Sequence, residues 1–187
     1  MELKTKEIEI DDPLNDEVER LLDTLFPAEE HYPMEWLKAW AQRDMTDYFA
    51  FFDGEAFLGF YYGFHTDTMV YGLYLAIDPA LQSKGYGTAI IRLLRERFGS
   101  RNIAFCVEPL DEDAPNMEQR KMRLKLYERL GFRLTGYSSR TPERYWVLSD
   151  KGEAFRNEEF EKLLLELSGR RIRPQVVKDV DTTRQYY

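Results

Sequence analysis

Apolar and polar positions change period several times along this 187-residue chain, and each change marks an element. Residues 2–10 alternate weakly and predict a first strand. From Asp12 to Phe26, Val18, Leu21, Leu22 and Leu25 recur at helical spacing until Pro27 stops the run. Trp36, Leu37 and Trp40 mark a second, short helix. Tyr48 to Phe52 and Ala56 to Phe64, joined by Asp53-Gly54, carry the strongest short-range hairpin signal. Met69 to Ile77 follows as a strand closed by Asp78-Pro79, and Thr88 to Phe98 as a helix with Ile90, Ile91, Leu94 and Phe98 on one face. Gly99 is placed to stop that helix.

Asn102 to Val107 reads as a short apolar strand, and Glu108 to Pro115, with two prolines and four acids, as a loop. Asn116-x-x-Gln119 predicts a capping box for a helix reaching Leu130, with Gly131 at its end. Phe132 to Tyr137 and Arg144 to Leu148 predict a final pair of strands. Phe155 to Leu167 predicts a helix with Phe160, Leu163, Leu164 and Leu167 on its apolar face. The mixed segment 169–187, which carries Pro174, reads as a tail after one domain over 1–168. The element order is β-α-α-β-β-β-α-β-α-β-β with an added helix, a mixed α/β chain.

The strand ending at Ile77 and the helix starting near Thr88 enclose Gln82-Ser83-Lys84-Gly85-Tyr86-Gly87. A helix start presents unpaired N–H groups and about half a unit of positive charge, and glycines there remove the Cβ atoms that would keep a pyrophosphate away. The stretch lacks the Gly-Lys-Ser/Thr ending of a Walker loop and the third glycine of a dinucleotide fingerprint.

Gln-x-x-Gly-x-Gly after a strand ending Leu-x-Ile-x-Pro resembles instead the acetyl-CoA signature of the GNAT superfamily of N-acetyltransferases. A second segment, Arg123 to Phe132, resembles the family's helix ending in Tyr-x-x-x-Gly-Phe, and it follows the glycine turn at the expected distance. Further pieces, Phe26-Pro27-x-Glu29-Glu30, Phe57-x-Gly59-Phe60, Tyr74-Leu75-Ala76-Ile77 and Glu118-Gln119-Arg120, are similar to bacterial members of unassigned substrate. The resemblance implies a mixed, twisted central sheet of about six to seven strands with helices on both faces. The fourth and fifth strands would splay to admit the pantetheine arm.

It also implies roles. Backbone amides from Ser83 to Thr88, including Lys84, Gly85, Tyr86 and Gly87, would hold the pyrophosphate, with Gln82 and Lys84 adding donors or charge. Leu75, Ala76 and Ile77 would pair with the pantetheine amides as an added strand does. Tyr127 is the candidate acid for the leaving CoA thiolate, since a phenol of pKa about 10 stays protonated at neutral pH. Where many members carry a CoA-contacting asparagine, this chain has Arg120. Asn116, at the head of the same helix, either takes over that contact or serves as the cap, and its Asn-x-x-Gln setting favours the cap.

A base is needed because an alkyl amine of pKa about 10.4 is neutral only once in ~10³ molecules at pH 7. Glu108, then Glu29 and Glu30, are the candidates, with solvated surface carboxylates as the alternative for all three. His31 and His65 lie outside both motifs, and Cys106 reads as a small core residue. Trp36, Trp40, Tyr61, Tyr62 and Phe64 could line an acceptor pocket but read first as core.

Composition bounds these expectations. With 43% hydrophobic residues the chain can build a full core, and its net charge of −8 excludes a broad nucleic-acid face while suiting a cationic substrate. A single cysteine excludes an internal disulfide, no apolar run is long enough for a membrane helix, and no His/Cys/Asp cluster has metal-ligand spacing. The expected protein is a cytoplasmic, acetyl-CoA-dependent enzyme that needs no metal and acts on a small amine. A non-catalytic acyl-CoA sensor and an enzyme acting on a protein amine are the alternatives. Homodimers are common in the family, and the terminal helix or tail could supply an interface.

Overall fold

The computed structural model describes residues 2–28, 30–81, 84–110, 113–140, 143–152, 155–169 and 174–183. The elements follow as β1 (Leu3–Glu7), α1 (Leu14–Leu25), α2 (Met34–Ala41), β2 (Thr46–Asp53), β3 (Ala56–His65) and β4 (Met69–Ile77). After a short 3-10 turn come α3 (Tyr86–Phe98), β5 (Asn102–Val107), α4 (Met117–Arg129), β6 (Arg133–Arg140), β7 (Arg144–Ser149), α5 (Asn157–Leu167) and β8 (Gln175–Lys178). The chain forms two compact units, Met1–His65 with Gly72–Gly99, and Thr66–Tyr71 with Ser100–Tyr187. Strand β4 begins in the second and ends in the first.

In the first unit the strands lie in the order β1-β2-β3-β4, and β2 pairs antiparallel with both β1 and β3. The Asp53-Gly54 turn closes the hairpin with Gly54 at φ 61°, a left-handed angle that glycine adopts without a Cβ penalty. Phe49, Phe51, Phe60, Tyr61 and Tyr62 are fully buried, as are Val18, Leu21 and Leu22 of α1. The predicted stripe of α3, Ile90, Ile91, Leu94 and Phe98, is buried as well. Each such side chain contributes about 1.5–3 kcal/mol over its exposed state. Arg97, near the end of α3, lays its guanidinium over the Phe49 ring at 4.2 Å.

In the second unit the order is β4-β5-β7-β6-β8, with antiparallel β5/β7, β6/β7 and β6/β8 pairs. The β6/β7 register shifts between Leu134 and Ser138, where Gly136 sits at φ 85°. Part of the segment read as a tail is therefore a strand, and among the described residues the strands number eight rather than six or seven. Asp179 locks β8 down, accepting from Ser138 Oγ at 2.6 Å and Arg140 Nη2 at 3.1 Å and pairing with Arg144 Nη2 at 3.2 Å. The strand has one buried position, Val176, so its four residues carry too little alternation to be read beforehand.

Candidate functional site

Helix α3 starts two residues earlier than its apolar periodicity predicts, because Gly85 closes the preceding turn in the left-handed region at φ 84°. Gly87 consequently lies in the first turn. The first backbone bond of the helix runs from the Ala89 N–H to the Gly85 carbonyl, so the N–H groups of Tyr86, Gly87 and Thr88 have no intrahelical acceptor. No side chain caps this end and no acid occupies its first turn. Both features favour an incoming anion.

The two glycines have different causes. Gly85 is required by its backbone angle, whereas Gly87 has an ordinary one, and a Cβ placed there would meet only Ile77 Cδ1 at 3.8 Å. The fold does not demand glycine at 87. Tyr86 donates its hydroxyl to Asp53 Oδ2 at 3.1 Å, which ties the helix start to the β2–β3 turn and raises the phenol's pKa. Lys84, Gly85 and Thr88 are exposed, and Gln82 and Ser83 lie outside the described residues.

Leu75, Ala76 and Ile77 end β4. Gly59 on β3 is what lets the strands approach there, since a Cβ at that position would fall 2.0 Å from the Ala76 carbonyl oxygen. One residue upstream, the Tyr74 hydroxyl donates to the Glu30 carbonyl at 3.1 Å and accepts from the Tyr32 N–H at 3.0 Å. Its ring is 2% exposed and packs edge-on against Phe26 at 5.1 Å. The segment carrying Glu30, itself half-buried, is thereby pinned to β4. Sequence reasoning missed this anchor, because the alternation of β4 marks Tyr74 only as an inward residue. Glu29 lies outside the described residues.

In the second unit, Glu108 follows β5 and is 5% exposed. Its Oε1 accepts from Asn116 Nδ2 at 2.9 Å and pairs with Arg120 Nε at 3.3 Å, while its Oε2 accepts from Arg123 Nη1. Arg120 also donates from Nε to Asn116 Oδ1 at 2.7 Å and from Nη1 to the Pro109 carbonyl at 2.9 Å. These contacts correct one expectation and bear on a second. Asn116 makes no side-chain cap to α4; the buried carboxylate outcompetes the helix N–H groups for its amide. Glu108 has both oxygens committed to fixed donors, which disfavours it as a proton acceptor.

Tyr127 is half-buried, its ring 4.9 Å from Phe105 and 5.7 Å from Phe132. Burial pushes its phenol up to about 12, with the Arg123 charge acting in the opposite direction. Among the described residues the hydroxyl has no hydrogen-bond partner, so it is not spent as an anchor. Cys106 is likewise raised by burial, to about 11, with the Ser139 hydroxyl 3.8 Å away. That suits the inert core residue expected.

His65 Nδ1 lies 2.7 Å from Asp47 Oδ2 and His31 Nε2 lies 3.6 Å from Asp23 Oδ1. The aromatic group divides. Tyr61, Tyr62 and Phe64 are core, whereas Trp36 is 51% exposed and forms with Tyr32 and Trp40 a cluster with ring centroids 5.0 to 6.3 Å apart. Among the described residues no group of His, Cys, Asp and Glu could hold a metal ion, and no helix is long and apolar enough to cross a membrane.

Residues 15–132 match the family model of the GNAT acetyltransferases, and the chain belongs to that family of acyltransferases. A solved structure assigned to the family from Bacteroides thetaiotaomicron is 25% identical, covers 88% of this chain and 95% of its own, and superposes with a TM-score of 0.69. The fold is shared with an aminoglycoside 6'-N-acetyltransferase complexed with coenzyme A, at 18% identity over 78% of this chain and 95% of that one, TM-score 0.59. It is also shared with the ribosomal-protein-S18-alanine N-acetyltransferase of Escherichia coli, at 18% identity over 79% and 92%, TM-score 0.58. No curated protein sequence matches the chain.

Proposed function

We propose that this chain transfers an acetyl group from acetyl-CoA to a primary amine, with a small cationic amine as acceptor. The observation that carries the reading is the start of α3, where N–H groups without an intrahelical acceptor, the lack of a side-chain cap and a glycine at 87 that the backbone does not require coincide. The residues fit a diphosphate: the backbone from Lys84 to Thr88 would hold it with Gln82 and Ser83, and Leu75, Ala76 and Ile77 would pair with the pantetheine amides. Asn116 leaves that set, its amide being engaged by Glu108 and Arg120. Acetyl-CoA, when bound, supplies an acetyl group activated as a thioester.

Tyr127 is the proposed acid. It gives its proton to the departing sulfur as the C–S bond breaks, a role for which its unshared hydroxyl is available. Glu30 is preferred to Glu108 as the base that takes the amine's proton as the new N–C bond forms, because Glu108 is already paired on both oxygens. The exposed rings of Tyr32 and Trp36, two and six residues from Glu30, suit a cation through their π faces.

Calorimetry with acetyl-CoA, followed by thiol release over a polyamine, an aminoglycoside and a peptide with an N-terminal alanine, tests the proposal. Binding with release from a cationic small amine is expected. Binding with no release from any acceptor would identify a sensor instead, and release from the peptide alone would move the acceptor to a protein amine.

A further inference from the structure

The rings of Tyr32, Trp36 and Trp40 form one contiguous cluster at the start of α2. Trp40 roots it in the core, 6.2 Å from the buried ring of Phe64, and Tyr32 meets Trp40 edge-on at 5.0 Å. Tyr32 is fixed a second time, by its N–H bond to the Tyr74 hydroxyl. Trp36, one helical turn before Trp40, stacks on Tyr32 at 6.3 Å, and these two rings are the exposed members of the cluster. Single apolar side chains at a surface are ordinary, whereas contiguous ones mark a contact site.

Two observations say what makes the contact. From Leu21 to Leu37 the chain carries Asp23, Glu29, Glu30 and Glu35 and no lysine or arginine, so an aromatic surface stands on an acidic stretch, which favours a cation over an apolar group. Tyr74, which holds Tyr32, immediately precedes Leu75, Ala76 and Ile77, so the segment bearing these rings is tied to the strand assigned to the pantetheine arm. A limit follows from the chemistry. An ammonium held on a ring face by its charge has no lone pair, so it is not the nitrogen that attacks the thioester.

We infer that Tyr32 and Trp36 form a second subsite, which holds a non-reacting ammonium of the acceptor while another nitrogen of the same molecule takes the acetyl group. The acceptor class narrows from primary amines in general to diamines and polyamines. The inference rests on the acetyl-transfer reading and adds to it the need for two nitrogens. Glu35, exposed and next to Trp36 in sequence, adds the opposite charge.

The test is thiol release over α,ω-diamines from diaminopropane to diaminooctane, each beside the monoamine in which a methyl replaces the second ammonium. At the best chain length the diamine should exceed its monoamine counterpart by about tenfold in kcat/KM, as one cation–π contact allows. Trp36→Leu keeps an apolar side chain but removes the π face, and should bring that ratio to within about twofold of unity; Trp36→Phe, which restores a ring, should recover part of it.

Equal turnover of diamines and monoamines at every length in the wild-type protein, or an advantage for the monoamine, would overturn the second subsite while leaving acetyl transfer in place. A diamine preference that survives both Trp36→Leu and Tyr32→Leu would overturn the assignment to these rings. Acetyl-CoA bound with no thiol released from any amine would remove the transfer reading itself, and the subsite with it.

Discussion

Replacing Gly87 separates cofactor binding from folding more cleanly than any other change in this chain. A Cβ at 87 meets one side-chain atom at ordinary contact distance, and the residue needs no left-handed angle. The Cβ of Gly87→Leu therefore finds room within the protein. Because glycine is about 0.8–1 kcal/mol less favourable than alanine inside a helix, a substitution in this first turn should leave stability unchanged or slightly raised. The bound state fares otherwise. A net contribution of about 1.5–3 kcal/mol for each hydrogen bond to a charged group means that a side chain denying the diphosphate two N–H groups costs about 3–6 kcal/mol. At 1.4 kcal/mol per decade, that raises the acetyl-CoA Kd by roughly 10²–10⁴. Gly87→Ala, adding one methyl, should fall between. Calorimetric titration beside thermal melting reads both quantities. Wild-type affinity in a Gly87→Leu protein that melts normally would falsify the assignment of this turn, and with it the proposed cofactor.

Three further outcomes follow from the packing. Tyr74→Phe removes the hydroxyl joining Glu30 and Tyr32, and should lower stability in urea by about 1–2 kcal/mol and speed hydrogen exchange of the Tyr32 amide; unchanged exchange would mean the loop is held elsewhere. Asp179→Ala takes the carboxylate from the buried Ser138 hydroxyl and from Arg140 and Arg144, so a loss of about 1–3 kcal/mol is expected, and a neutral effect would show β8 to be held by its ladder alone. Burial lifts Cys106 from 9.0 to about 11 and Tyr127 from 10.0 to about 12. Folded values above unfolded ones mean that this stability is complete below about pH 9 and is lost as pH climbs through 11 and 12. Melting temperature should hold from pH 7 to about 9 and then fall, and a rise above pH 10 would contradict the assigned direction.

Much of the fold was legible along the chain because the relevant signals are local. A helix buries one stripe and a hairpin needs its turn, so Ile90, Ile91, Leu94 and Phe98, and Asp53-Gly54, announce themselves within a few residues. The strands Met69–Ile77 and Asn102–Val107 fall where their composition predicts them. The glycine turn could be found in the same way, since a helix start and its flanking strand are neighbours in sequence. What it could not reveal is that Gly85 and Gly87 differ: one answers to a backbone angle, the other to space that the rest of the chain leaves open. The roles of Glu108 and Asn116 were beyond local reading as well. Asn-x-x-Gln is a sound cap on its own, but burying Glu108 after β5 creates a charge that Asn116, Arg120 and Arg123 meet, eight to fifteen residues on. Short β8 depends equally on the distant β6 edge and on Asp179. Sequence alone determines the elements and the chemistry they carry, because periodicity and turn chemistry act over a few residues. Tertiary structure decides which polar groups are buried together, because desolvation makes a charge seek partners wherever the fold has brought them.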